Sequence, residues 1–453
     1  MSNIASLKRT ESPLPAPPLS SLRSLAGTRV MPAAVSMRMV AALIGALILS
    51  LLLISFRPYF PEGTDKESGD LVNQLGFSGL GVLGVLSVLM LARPRTIGAM
   101  ASPLWLVMLG FVVFAALISP DPQVALRAFL FTLIAMTATI SVLCLPRDAD
   151  GFSLIFTLTA ALILILSYTG IVLVPDLATH GADILEPQNS FLWRGVFSHK
   201  NVAAPVMAAF FFAGIYLIRR RWFVTGGLIA LAALGFVSGA GSKTSTALVP
   251  LVAILVGVPG IFGLRPLAAA LVLATQIGFF FFTLGVVLFP PVARLIGAFL
   301  PAPSFTGRTD IWRFALEMLE KKPWTGYGLG GFWSTPTALY AARPYYLDWD
   351  VRGIVHAHNG YLDIAVTMGI PALVCAVIVI IFMPLLDYLR CRRNRENVLL
   401  ADFFMMVLTF STLNAFLESF FFRRADPVWL MLVFALFGLR MTARVIIPSR
   451  VSS

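Results

Sequence analysis

The sequence predicts an all-α integral membrane protein of about twelve transmembrane helices, and three observations carry that prediction. Hydrophobic residues make up 58% of the chain and charged residues only 12%, where soluble domains carry about 25% charge. Mean hydropathy is +0.87. Apolar runs of the roughly 20 residues needed to cross a hydrocarbon core recur along the chain. The net charge of +12 therefore reads as basic cytoplasmic loops. No nucleic acid is expected as a partner; the lipid bilayer is.

Residues 1–36, rich in Ser, Pro and Leu with Lys8, Arg9, Arg23 and Arg29, read as a disordered basic cytoplasmic tail. The first apolar run ends in Phe56-Arg57-Pro58 rather than the small residues of a cleavage site, so a retained helix is expected. Spans are placed near 38–56, 74–92, 98–118, 125–145, 153–174, 201–218, 222–238, 246–263, 267–290, 361–386, 398–417 and 428–444. Helices 1–9 thus occupy 37–290 and helices 10–12 occupy 361–447, with a short cytoplasmic tail at 448–453.

Arg93 and Arg95, Arg147, Arg219-Arg220-Arg221, Arg265 and the cluster Arg390, Arg392, Arg393, Arg395 crowd alternate loops. Such loops face the cytoplasm, so both termini are expected there. The opposite face carries acidic or neutral loops, all four histidines (His180, His199, His356, His358) and the segment 291–360. That segment, the large periplasmic loop, is too long to be a mere connector. Cys144, Cys375 and Cys391 signal neither a disulfide framework nor a metal cluster.

Within the loop, Thr309 or Asp310 is a suitable cap and Pro323 a stop for an amphipathic helix. Ile311, Trp312, Ala315, Leu316 and Leu319 form its apolar stripe. Arg308 stands at the helix start, where free N–H groups and the dipole favour an anion and a guanidinium adds a fork for phosphate oxygens. The plain alternative is an arginine paired with a surface acid. Thr325-Gly-Tyr-Gly-Leu-Gly-Gly-Phe-Trp333 superficially suggests a dinucleotide fingerprint, but a helix precedes it rather than a strand. Its glycines are expected to let a backbone turn pack closely. The aromatics nearby, including Trp324, Trp333, Tyr340, Tyr345, Tyr346 and Trp349, suit sugar stacking or an interfacial belt.

His356-Ala-His358-Asn359 opens the tenth span. His358 can take a proton or hold a hydroxyl, with Asn359 beside it and His356 in support. Two histidines without a suitably spaced third ligand do not make a zinc site, so no metal and no cofactor are expected. Lys200 and Lys243 stand at outer span ends, with Arg423 or Arg424 near another. Each alone could simply snorkel. Together with Arg308 they suit a polyanionic substrate presented from the bilayer.

Taken in order, Gly195-Val-Phe-Ser-His-Lys-Asn201, Gly307-Arg-Thr-Asp-Ile-Trp312, the Pro323–Phe332 block, and His358-Asn-Gly-Tyr-Leu362 with Gly369-Ile370 look familiar. From about 190 to 440 the chain resembles the O-antigen ligase and polymerase superfamily (WaaL/Wzy type), in its exopolysaccharide polymerase (ExoQ-like) branch. The resemblance implies a GT-C-like, inverting, metal-independent glycosyltransferase of the bacterial inner membrane. Its donor would be an oligosaccharide on undecaprenyl pyrophosphate at the outer leaflet, and its active site would face the periplasm. It carries the family's essential arginine to Arg308 and its essential histidine to His358. A second family arginine falls on Lys243, which keeps the charge but loses the planar fork. A family carboxylate before the last motif's glycine falls on Thr367. Lys200, Asn359, Arg424 and His356 complete the expected substrate-binding set.

The expected function is polymerisation of lipid-linked repeat units into an exported polysaccharide, with a chain-length regulator or export protein as partner. The near alternative is a ligase moving the finished glycan to lipid A or another acceptor. A transporter or flippase would need ionisable groups within spans and related halves. Asp402 and Glu418 lie only near span ends, and Gln276 is neutral.

Overall fold

In hydrocarbon every backbone N–H and C=O must find its partner within the protein, a condition an α-helix meets by itself. The computed structural model describes residues 33–60, 70–181, 189–299, 307–342 and 350–449 and is helical throughout. Among these residues the one strand-like pairing is an isolated bridge between Thr179 and Trp193. The basic tail up to residue 32, the acidic run at 61–67, and Tyr345, Tyr346 and Trp349 lie outside the described residues.

The principal helices are α1 (Ala33–Ile54), α2 (Leu71–Leu91), α3 (Pro94–Met100), α4 (Pro103–Leu117), α5 (Pro122–Cys144), α6 (Ala149–Leu173), α7 (Lys200–Arg219) and α8 (Phe223–Gly239). They continue with α9 (Lys243–Ile261), α10 (Arg265–Phe282), α11 (Arg308–Lys321), α12 (Gly360–Met368), α13 (Ile370–Leu389), α14 (Arg395–Asn414) and α15 (Pro427–Arg444). Ten are long and apolar enough to cross a membrane, α3 with α4 forms one more segment bent by 53°, and α8 is a shorter apolar helix. Each of the predicted apolar runs thus has its helix, and the chain is a multi-pass membrane protein.

Two runs are broken rather than continuous. The α3–α4 bend falls at Ala101-Ser102, just before Pro103, because a residue preceding proline is pushed out of the helical region. The tenth run breaks at Gly369, whose φ is +84°. Its first part, α12, packs against α11, so the crossing segment begins at Ile370 and not at 361.

The core centres on α14, 94% of whose apolar window is buried, packed between α7 and α15. Buried charges need partners, and at one end of the bundle they have them. Arg219 pairs with Asp402 at 2.7 Å, Arg220 with Glu396 at 2.8 Å, and Arg444 with Asp387 at 2.9 Å. These pairs tie α7, α13, α14 and α15 together at the end that carries the basic loops. The histidines gather elsewhere.

Candidate active site

The amphipathic helix α11 begins at Arg308 itself, before both of the caps expected from sequence, Thr309 and Asp310. Gly307, at φ +80°, turns the chain into it, and no side chain caps it. Asp310 lies instead in the first turn, where a carboxylate suits the helix dipole, and pairs with Arg313 at 3.1 Å. Ile311, Trp312, Phe314, Ala315, Met318 and Leu319 are buried, and the helix packs on α12. Trp312 Nε1 donates to the Ala357 carbonyl at 3.0 Å. Arg308 and the histidine loop are therefore held by one helix.

The glycine-rich stretch supports the same arrangement from below. Tyr327 N–H donates to Val366 O and Gly328 N–H to Thr367 O, each at 2.9 Å. Gly326, at φ +64°, lies so close to this end of α12 that a Cβ would stand 2.6 Å from Val366 O. The stretch is a backbone clamp, as its composition implied.

Asn359 was expected to touch substrate, and the structure gives it another task. It is wholly buried and caps α12: Oδ1 accepts from Leu362 N–H at 3.1 Å, and Nδ2 donates to Phe416 O at 3.1 Å. Such a cap stabilises by about 0.5–2 kcal/mol. His358, just before it, sits at φ +50°. That left-handed conformation costs a non-glycine residue about 1–3 kcal/mol and persists only where the surroundings impose it. Asn359 N–H donating to Ser419 Oγ at 3.0 Å and His358 N–H donating to His356 Nδ1 at 3.3 Å impose it here.

At the centre stands Glu418. Arg308 Nη2 donates to its Oε1 at 2.9 Å, Asn201 Nδ2 approaches the same oxygen at 3.3 Å, and His358 Nδ1 faces Oε2 at 3.5 Å. Burial would raise this carboxyl, but His358 and Arg308, with His356 behind them, outweigh it and hold Glu418 below the usual range. It is a carboxylate shared by a cation and an imidazole.

Each histidine has a partner ring. His356 and His358 lie with centroids 4.1 Å apart, and His180 and His199 4.5 Å apart. Burial, then the proximity of His358, Arg423 and Arg308, pushes His356 down to about 3 despite Glu418. Burial, His199, Arg194 and Lys200 push His180 down to about 4, and its Nε2 accepts the Lys200 backbone N–H at 3.0 Å. His199 Nδ1 caps α7 by accepting Asn201 N–H at 3.1 Å. The Phe197–Asn201 block thus reaches the centre through Asn201.

Of the residues singled out in the sequence, Arg308, His358 and His356 come together, and Lys200 opens α7 beside His180. Lys243 is exposed at the first position of α9. Among the described residues no contact links Lys243 or Arg424 to the Glu418 group. Arg423 rather than Arg424 lines a cavity of about 280 Å³ beside His356. Glu418 and Asn201 are the members that sequence reasoning left without a role. The signal available for Glu418 was a carboxylate stranded just past the end of a long apolar run. Among the described residues no three His, Cys, Asp or Glu side chains converge to hold a metal ion.

The chain is similar to known proteins across this region. The O-antigen ligase family model matches residues 200–377, a region that contains Asn201, Arg308, His356 and His358. The chain is also 25% identical over 352 residues to the exopolysaccharide production protein ExoQ of Rhizobium meliloti (strain 1021), covering 74% of each chain. The chain is thus similar to the O-antigen ligase family across the region that holds most of the site, and to ExoQ over about three quarters of its length.

Proposed function

We propose that this protein joins undecaprenyl-pyrophosphate-linked oligosaccharide repeat units into an exported polysaccharide, by inverting glycosyl transfer at the outer leaflet of the bacterial inner membrane. The observation that carries the reading is the carboxylate of Glu418 lying between Arg308 at 2.9 Å and His358 at 3.5 Å. One of these partners suits the leaving group and the other suits the nucleophile.

Glu418 engages Nη2 of Arg308, which leaves other N–H donors of the guanidinium to meet phosphate oxygens. As the sugar–phosphate bond breaks, charge grows on those oxygens, and a fixed cation there supplies the largest part of the rate enhancement. Lys200 and Lys243, at the first turns of α7 and α9, add positive charge to the same face of the bundle. A carboxylate facing Nδ1 keeps the imidazole proton on that nitrogen and leaves the Nε2 lone pair for the acceptor hydroxyl. His358 takes the hydroxyl proton as oxygen attacks the anomeric carbon from the side opposite the pyrophosphate, and Glu418 stabilises the imidazolium that results. The chain's own residues thus supply a group for each of these roles.

The test is polymer length in cells expressing variants at normal protein levels. Arg308→Ala and His358→Ala are each expected to abolish high-molecular-weight polymer, and Arg308→Lys to lower chain extension about 100-fold, as for loss of one aligned donor. Normal polymer from either alanine variant removes the corresponding role. A ligase is the second reading, favoured by the description of the family that matches 200–377. In a deletion strain, single repeat units accumulating on the carrier indicate a polymerase; long unattached chains indicate a ligase.

A further inference from the structure

The cavity of about 280 Å³ is lined by His356 and by the Ser419–Arg423 segment that follows Glu418. Phe332, Trp333 and the Phe420–Phe422 run line it, with His356, Asp363 and Thr367 supplying polar groups. We propose that this cavity is a subsite for one sugar ring of the acceptor glycan, with Trp333 presenting an apolar face to the ring and His356 a hydrogen-bond donor to its hydroxyls. The proposal rests on the polysaccharide reading above and adds to it where the acceptor is held.

Three features argue for a sugar. A mostly apolar hollow with a few fixed polar groups is the usual form of a small-molecule site, and an aromatic ring beside polar groups matches a pyranose, which has apolar faces and hydroxylated edges. The aromatic wall is also rigid, because Trp333 Nε1 donates to Asp363 Oδ1 at 2.6 Å and Trp333 packs edge-on against Phe332 with centroids 4.6 Å apart. Finally, His356 Nδ1 already accepts the His358 N–H, so the neutral ring carries its proton on Nε2. Burying that donor against a hydrocarbon tail costs free energy, whereas a sugar hydroxyl satisfies it.

The order of groups assigns the subsite to the acceptor rather than the donor. Arg308 and His358 face different oxygens of Glu418, and His356 packs edge-on against His358 with ring centroids 4.1 Å apart. A glycan entering at His356 therefore presents its hydroxyl to His358 before it meets the phosphate end. The Thr367 hydroxyl bonds along its own helix, donating to Asp363 O at 2.6 Å, so its inter-element bond from Gly328 is through the backbone, and Val355 is 63% exposed at the rim. Both can be enlarged without removing a contact between elements.

The experiment uses the purified full-length protein in detergent. Saturation-transfer NMR would follow oligosaccharide fragments one repeat long, cut from the polysaccharide that cells lose on deletion of the gene. Wild type is expected to bind the fragments, and Thr367→Leu and Val355→Trp to weaken binding at least tenfold. Arg308→Lys should leave it within twofold, since the fragments carry no pyrophosphate. With a lipid-linked acceptor, Thr367→Leu should raise the acceptor KM about tenfold and leave kcat within threefold. Val355→Trp, at an exposed site, keeps the test valid if the Leu variant does not fold. Equal binding by wild type and a folded variant, or displacement of fragments by farnesyl phosphate, overturns the subsite. Fragment binding without chain extension overturns the polymerase reading and keeps the subsite; chain extension without fragment binding does the reverse.

Discussion

Arg308, Glu418 and His358 share charge in a way that makes the carboxylate the residue most sensitive to change. Glu418→Gln keeps the shape but leaves a partly buried guanidinium without its counter-charge and removes the group that orients the imidazole. Chain extension by the purified enzyme is expected to fall about 100-fold or more in kcat, with a small change in acceptor KM; activity within threefold of wild type would show that the carboxylate only holds the fold. A second consequence at this scale concerns pH. His356 and His180 are depressed, to about 3 and about 4, so the unfolded chain takes up protons that the folded chain refuses. Their stabilisation is complete above the unfolded value of about 6.5 and is lost as pH falls from there toward those values. Thermal unfolding in detergent should therefore shift to lower temperature between pH 6.5 and 4, and His180→Gln should flatten the shift. Arg308 and His358 were legible because a helix start and a paired-histidine loop are local patterns. Glu418 was not, since it meets Arg308 across 110 residues of sequence and nothing in its own neighbourhood announces a partner. Asn359 was misread for the opposite reason: a polar residue beside a histidine drew a chemical role, although Asn before Gly-Tyr-Leu is also a helix cap.

Helices follow from apolar length, and that is why the apolar runs are legible in the sequence. Breaks within them depend on single dihedrals that hydropathy does not register. The run through α12 and α13 stays apolar across Gly369 because α12 is buried by α11 and its neighbours instead of lipid. Either burial selects the same side chains. The break itself is tightly specified: at φ +84°, a Cβ on Gly369 would lie 2.3 Å from the backbone oxygen of Trp324. Gly369→Ala thus combines the cost of a positive-φ, extended-ψ conformation that is essentially confined to glycine, about 1–3 kcal/mol, with a clash against backbone that cannot rotate away. It should lower the midpoint of thermal unfolding by several degrees. It should also reduce chain extension, because the Trp324–Gly328 clamp positions the end of α12 and, through Trp312 and Ala357, the histidine loop. A melting point within a degree of wild type would show that the clamp yields, and that α12 is not held as rigidly as its contacts indicate.

Across the whole molecule, charge is sorted by end. Paired arginines such as Arg219, Arg220 and Arg444 tie the helices at one end, while both histidine pairs, Arg308 and Glu418 gather at the other. The positive-inside rule assigns the arginine end to the cytoplasm, and the proposed chemistry requires the histidine end to face the compartment where the lipid-linked glycan is presented. These two arguments are independent and make one prediction. All three native cysteines are buried, so a thiol introduced at an exposed site will dominate labelling by a membrane-impermeant maleimide. Tyr340, 83% exposed beside the glycine clamp, and Arg393, exposed in the basic loop before α14, report on the two ends. In intact bacterial cells with a permeable outer membrane, Tyr340→Cys should react at once, and Arg393→Cys only after the inner membrane is opened. The reverse pattern would place Arg308 and His358 in the cytoplasm, where an outer-leaflet donor cannot reach them, and the polymerase and ligase readings would fall together.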